Sequence, residues 1–291
     1  MNIRPLLAGV CSLAILSAPA SSRAASAPQP PIWYLAQGSR PAAIIGPLPH
    51  IKHGPVLGLT PGFDATSTNW AGYVDVVKAP RPGPELEAVL VVPQFDNHDS
   101  KFDMISFWTG FDGFNNNHIL QAGVDCFIDG SNRSNNGCYT FAEYYPDATI
   151  GLFNVSIGDV IGLFSFHEPD GSGGGFYVFN WTNGDVAGVA NNFFCNVPAC
   201  PSADPYTGDS AEWIVEAPQV NGQLAPLVQI TQPGGVEIYN DIMLSFNGRR
   251  DRYPYDRPNK ASYRLSLVQN GVTAAVPHEI SPFSFGILTY P

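Results

Sequence analysis

The 291 residues carry 14 Lys and Arg against 25 Asp and Glu, a formal charge of −11 at neutral pH. Residues 1–63 hold four basic residues and no acid, which leaves 10 basic against 25 acidic residues, net −15, for residues 64–291. Between Pro82 and Gly248 only Lys101 and Arg133 are basic against 20 acids, which argues against a nucleic-acid-binding or anionic-membrane surface there.

The chain opens on one positive charge within residues 1–4 and an apolar run at 6–16, too short to span a bilayer. Ala18-Pro19-Ala20 and Ala25-Ser26-Ala27 both fit an Ala-x-Ala cleavage site, so residues 1–27 are predicted to be a secretory signal peptide, cut after Ala20 or Ala27. The mature protein is expected to be secreted, extracellular or periplasmic, and a monomer. Residues 28–63 are rich in Pro and Gly without a sustained helix or strand period, and are read as a linker or pro-segment ahead of the body at 64–291.

From about Thr66 the texture changes to short runs rich in Val, Ile, Phe, Tyr and Trp, separated by Gly, Asn, Asp and Pro. Strands are predicted over 69–77, 87–92, 104–110, 118–127, 139–145, 160–166, 176–181, 211–216, 236–246, 263–268 and 283–290. No window of helical length keeps a 3.6 period. An all-β fold follows, one large antiparallel sandwich or barrel rather than two domains.

Outside the signal segment there are four cysteines, Cys126, Cys138, Cys195 and Cys200, an even number in an exported chain, which favours two disulfides over metal ligation. Pairing 126 with 138 and 195 with 200 would close two short loops; three connectivities exist in principle. A body dense in carboxylates loses self-repulsion when they protonate, so the composition suits acid. The basic cluster of Arg249, Arg250, Arg252 and Arg257 reads as a locally salt-bridged turn, residues 171–175 (GSGGG) as a flexible turn, and the six His as surface or loop residues.

Zinc-peptidase, serine-hydrolase and phosphate-loop motifs are missing. What remains is polar residues inside strand-like runs. Period-2 alternation puts Glu212, Ile214 and Glu216 on one face of AEWIVE, and Ile119, Gln121, Gly123 and Asp125 on one face of ILQAGVD.

Five blocks occur in order: Asn69-Trp70-Ala71-Gly72, Trp108-Thr109-Gly110-Phe111-Asp112-Gly113, Ile119-Leu120-Gln121-Ala122-Gly123, Glu143-Tyr144-Tyr145-Pro146 and Ala211-Glu212-Trp213-Ile214-Val215-Glu216. Together they resemble the eqolisin, or glutamic peptidase, family over about 66–219. The resemblance implies an antiparallel β-sandwich of two large sheets, of concanavalin or jelly-roll type, made as a secreted precursor with a pro-segment. It also implies acid endopeptidase activity on polypeptides with no metal or other cofactor. By motif, the catalytic pair falls on Gln121 and Glu216, and Glu212 is not the match. Trp70, Trp108, Asp112, Glu143 and Tyr145 match positions around the substrate cleft. One block departs: Tyr139 and Ala142 stand where many members have Asp and Tyr, which bears on the subsites and leaves the pair untouched. The rival reading is a glycan-active sandwich, either a glycoside hydrolase using Glu143 and Glu216 or a lectin-like module with aromatic platforms.

Overall fold

The computed structural model describes residues 40–42, 45–49, 51–54, 64–76, 85–96, 102–132, 136–167, 174–189, 208–231, 235–244, 250–252, 262–281 and 284–290. The expected signal peptide, Cys195, Cys200, residues 171–173, and Arg249 and Arg257 of the basic cluster lie outside them.

The β-branched and aromatic runs form two large antiparallel sheets. The first runs in the order Ser262–Gln269, Trp70–Val76, Ser210–Glu216, Phe102–Phe111, Ile119–Asp129, Gly137–Tyr145, Thr149–Val155 and Gly46–Leu48. The second runs Val272–Ser281, Ser284–Thr289, Val236–Leu244, Glu85–Val91, Val160–His167, Gly174–Asn180 and Asp185–Val189. Parallel additions lie at the edges: Asp64–Ser67 on Ser262–Gln269, and Arg40–Pro41 on Asp185–Val189. A hairpin between Ser262–Gln269 and Val272–Ser281 joins the sheets. Its two-residue turn, Asn270-Gly271, has φ of 52° and 78°, the paired left-handed conformation that matches strand twist.

Alternation decides which side chains fill the sandwich. Ala71, Tyr73, Phe107, Val124, Trp213 and Val215 point inward and join Leu86, Leu163, Phe176 and Phe285 of the second sheet in the main core. Their neighbours Trp70, Val74, Trp108, Phe141 and Ile214 form a separate buried cluster on the opposite face of the first sheet. Both faces are therefore covered, and every residue of Ser210–Glu216 is buried.

Part of the cover comes from the stretch read as linker. Arg40–Pro41, Gly46–Leu48 and Ile51–Lys52 all pair as strands, the last with Gln219–Val220. These pieces are only two or three residues long, too short for a period to show in the sequence. The predicted 126–138 disulfide is present, and the two cysteines face each other in register across neighbouring strands.

Candidate active site

Register assembles the polar residues on the outer face of the first sheet. One row runs across five strands as Trp70, Glu216, Ser106, Asp125 and Tyr139. The next, two residues along, is Gly72, Ile214, Trp108, Gly123 and Phe141, and the third is Val74, Glu212, Gly110, Gln121 and Glu143. Gly123 makes the middle row feasible: a Cβ there would lie 2.7 Å from both the Phe141 ring and Trp108 Cβ, so its absence lets both side chains pack over the strand.

Glu216 is fully buried. Its Oε1 accepts from Asn69 Nδ2 at 3.1 Å and its Oε2 from the Trp108 indole N–H at 2.7 Å. Burial pushes its carboxyl up to about 8; His53 and the Trp108 N–H oppose the shift and the Glu143 charge adds to it. Trp70, its cross-strand neighbour, also favours the charged form, although its N–H does not reach the geometry of a formed hydrogen bond. The Trp70 and Trp108 rings meet edge to face at 5.2 Å.

Gln121 is equally buried. Its Nε2 donates to the His53 carbonyl at 2.6 Å and to Glu143 Oε2 at 3.2 Å. Glu143 Oε2 also accepts from the His53 backbone N–H at 3.0 Å and lies 2.7 Å from His53 Nδ1. Burial raises the Glu143 carboxyl, partly offset by His53. The Tyr145 phenol is raised as well, first by burial and then by the charges of Glu143 and Glu216, so it borders both acids.

Of the histidines, expected at the surface or in loops, His53 and His118 do lie in loops but not at the surface: His53 is wholly buried and His118 is buried too. For His53 the physical reason lies in its partners. Nε2 is 3.0 Å from Asp125 Oδ1 and Nδ1 is 2.7 Å from Glu143 Oε2, so both ring nitrogens face carboxylates, and the ring stacks on Phe141 at 4.0 Å. Burial alone would lower its pKa, but Asp125 and Glu143 outweigh that and hold it well above the ordinary imidazole value. Ser106 donates a short hydrogen bond to the same Asp125 oxygen.

Of the site residues read from sequence, Gln121, Glu216, Trp70, Trp108, Glu143 and Tyr145 gather here. Asp112, in a left-handed conformation, φ 67°, accepts from the Gly208 and Asp209 backbone N–H groups at 3.0 and 2.9 Å, beside the entry to Ser210–Glu216. Glu212 accepts from Ser210 Oγ at 2.9 Å, and burial raises its carboxyl well above the usual range. Asn69, Asp125 and His53 had no role in the sequence reading. Asp125 was within reach of it, sharing the Gln121 face; Asn69 stood in a matched block; His53 gave no sign beyond a basic stretch preceding an acidic body. Among the described residues, no group of three or more His, Cys, Asp or Glu is arranged to hold a metal ion.

Comparison with solved structures finds the same fold. Scytalido-glutamic peptidase with a peptide-based transition state analog is 19% identical, with a TM-score of 0.60 over 77% of this chain and 98% of that one. SCP-B, a member of the Eqolisin family of peptidases in a complex with the tripeptide Ala-Ile-His, is also 19% identical, with a TM-score of 0.57 and the same coverage. No curated protein sequence matches this one. The model of the Peptidase A4 family matches residues 68–232, the stretch that supplies Asn69, Trp108, Gln121, Glu143 and Glu216, and the chain belongs to that family.

Proposed function

We propose that this protein is an exported acid endopeptidase that hydrolyses peptide bonds with Gln121 and Glu216 and an activated water. One observation carries the reading. A piece of polypeptide lies across the site with the Gln121 amide on the carbonyl of His53, while the Asn69 amide joins the next carbonyl, Gly54, to Glu216 at 2.7 and 3.1 Å. A site that engages consecutive backbone carbonyls is suited to a peptide, whereas a glycosidase built on Glu143 and Glu216 would need a Glu143 free of Gln121 and the His53 backbone.

The chemistry follows from the two side chains. Ionised Glu216 takes a proton from water as the oxygen attacks the carbonyl carbon, the Gln121 N–H donates to the developing oxyanion, and Glu216 returns the proton to the leaving nitrogen. Trp108 and Asn69 hold the carboxylate, one on each oxygen. With residues 51–54 in place, burial keeps Glu216 protonated and unable to act as a base. Opening the cleft to water removes the first cause of that shift and returns the carboxyl towards the range useful in acid. Residues 28–63 then act as a pro-segment on a monomeric body at 64–291, behind a signal peptide at 1–27.

The test is digestion of a denatured protein across acid and neutral pH. Glu216→Gln should cost about 10² to 10⁴ in rate, the usual share of a general base, and Gln121→Ala about 10² to 10³. Proteolysis unimpaired in Glu216→Gln would sink the assignment.

A further inference from the structure

We propose that the outer face of the second sheet carries a binding site for a neutral polysaccharide chain, with the Trp181 indole as its platform, on the side of the sandwich opposite the catalytic cleft.

Among the described residues Trp70, Trp108 and Trp213 are buried, whereas Trp181 is 55% exposed. It follows the strand Gly174–Asn180, whose outward side chains Tyr177 and Phe179 form an apolar cluster with Val186 that Phe164 and Phe166 pack against. On the neighbouring strand, Gly162 points outward, because Ile161 and Leu163 on either side of it belong to the main core. A Cβ on Gly162 would fall 2.9 Å from Trp181 Cζ2. Glycine there lets the indole lie over the strand, one side against the sheet and the other open to water.

Hydrogen bonds pin the turn that presents the ring. The Trp181 N–H donates to the Val160 carbonyl at 2.9 Å, and the Gly184 N–H to the Asn180 carbonyl at 2.8 Å. Asn180 is buried, donates to Asp159 Oδ2 at 2.7 Å and accepts from the Thr182 and Asn183 backbone N–H groups. Thr182 Oγ1 in turn accepts from the Val160 N–H at 2.9 Å. The 181–184 turn is thereby tied to the 156–159 turn, where Ile157 is 50% exposed. An apolar ring held open to water on a fixed turn is preorganised for a partner.

The surroundings say what that partner is. Thr182 and Asn183 are exposed beside the ring, and Asp159 and Asp185 are partly exposed, so hydroxyl, amide and carboxylate groups border an apolar plane. A pyranose carries the complementary pattern: the C–H bonds of its face suit the negative face of the indole, and its hydroxyls suit amide and carboxylate partners at the edge. Charge selects among polymers. Thr149–Val155, Val160–His167, Gly174–Asn180, Asp185–Val189 and the segments linking them contain no Lys or Arg. The basic residue on a strand paired with these is Arg40, in register with Asp185 at the sheet edge. A polyanion is disfavoured at such a surface, whereas a neutral chain needs no countercharge. The catalytic pair lies on the outer face of the other sheet, so a chain bound at Trp181 leaves the cleft open. On the peptidase reading, the enzyme is then tethered to a polysaccharide matrix while it cuts protein held there; the binding itself does not depend on that reading.

Depletion of the full protein from solution by protein-free, insoluble cellulose, β-1,3-glucan, mannan and starch tests the site. At least one of these neutral polymers should retain the protein equally at low and high salt, and soluble oligosaccharides of the same linkage should release it. Trp181→Ala should weaken retention about tenfold or more, the loss expected when an anchoring ring is removed, while Tm and the cleavage of a free peptide stay unchanged. Tyr290→Ala, which removes another exposed aromatic ring, 46% exposed, should bind as the parent does. No depletion by any of the four polymers, retention abolished by salt, or retention unchanged in Trp181→Ala would each overturn the inference. If a neutral polymer is bound through Trp181 but no peptide is cut in acid, the binding site stands and the peptidase reading falls.

Discussion

Asn69 donates one amide group to two acceptors, Oε1 of Glu216 at 3.1 Å and the carbonyl of Gly54 at 2.7 Å. That single nitrogen fixes the distance between the acid and the peptide lying over it. Asn69 is itself fixed: its Oδ1 accepts from Ser67 Oγ at 3.1 Å, which determines which end of the amide faces Glu216. The residue therefore orients the carboxylate without carrying out a proton transfer.

Asn69→Ala should lower kcat/KM on peptides by roughly 10- to 100-fold, the worth of one hydrogen bond to a charged group. Asn69→Asp should be worse, because a second carboxyl beside Glu216 disfavours its charged form and raises its pKa further. Steady-state kinetics on a quenched peptide would check both. Equal activity in Asn69→Ala would show that the bridge has no part in positioning.

Trp108→Phe keeps an aromatic ring in the row with Ile214 and Gly123 but removes the N–H that donates to Glu216 Oε2 at 2.7 Å. That donor favours the ionised carboxylate, so its loss should raise the pKa of the base. A general base acts in its ionised form, so the acid limb of the kcat/KM profile should move to higher pH, by about one unit for a charged hydrogen bond. A uniformly lower rate with an unmoved limb would contradict this role for the indole.

Much of the sheet was legible because alternation and turn residues mark a strand without reference to its partners. The run at 211–216 becomes Ser210–Glu216, 139–145 becomes Gly137–Tyr145, and 263–268 becomes Ser262–Gln269. Three longer strands escaped. Thr149–Val155 and Asp185–Val189 are each interrupted by a glycine, and Val272–Ser281 contains Pro277, which counts against a strand unless its neighbours are known. At the site, Gln121 and Glu216 could each be put on a face of their own strand, but not on one shared face two strands and two rows apart, because register between strands 90 residues apart is a tertiary property. His53 was the hardest to see: an imidazole in a Pro-rich stretch acquires meaning only when Asp125 and Glu143 are found around it.

The disulfide makes a separate prediction. Cys126 and Cys138 are buried at the end of the hairpin that carries Gln121 and Glu143, and they close a sequence separation of 12. Closing a loop of that length constrains the unfolded chain by about 3 kcal/mol in the chain-entropy account. Non-reducing peptide mapping should recover 126 linked to 138, and Cys126→Ser with Cys138→Ser should lower Tm by about 10 °C. A map showing either cysteine joined to Cys195 or Cys200 would refute the pairing.

Stability should fall as pH rises, and the sign comes from three buried acids. Glu143, Glu212 and Glu216 all have carboxyls raised above their ordinary value in the folded state, Glu216 from 4.5 to about 8. A raised carboxyl means the folded protein holds a proton that the unfolded chain has lost, so between about pH 4.5 and 8 unfolding releases protons and is favoured by raising the pH. The stabilisation is complete below the unfolded value and disappears as pH climbs through the folded one. Glu216 alone accounts for a few kcal/mol, so Tm should drop on the order of 10 °C from pH 4 to pH 8. Glu212→Gln separates this cause from the general repulsion of an acidic body: it removes one buried acid of the three, lies two rows from Glu216 on the same strand face, and changes the net charge by only one. Its melting profile should be flatter with pH, with Tm at pH 8 above that of the unaltered protein, while it keeps far more peptidase activity than Glu216→Gln. A Glu212→Gln profile parallel to the parent would mean that surface repulsion, and not these buried carboxyls, sets the pH dependence.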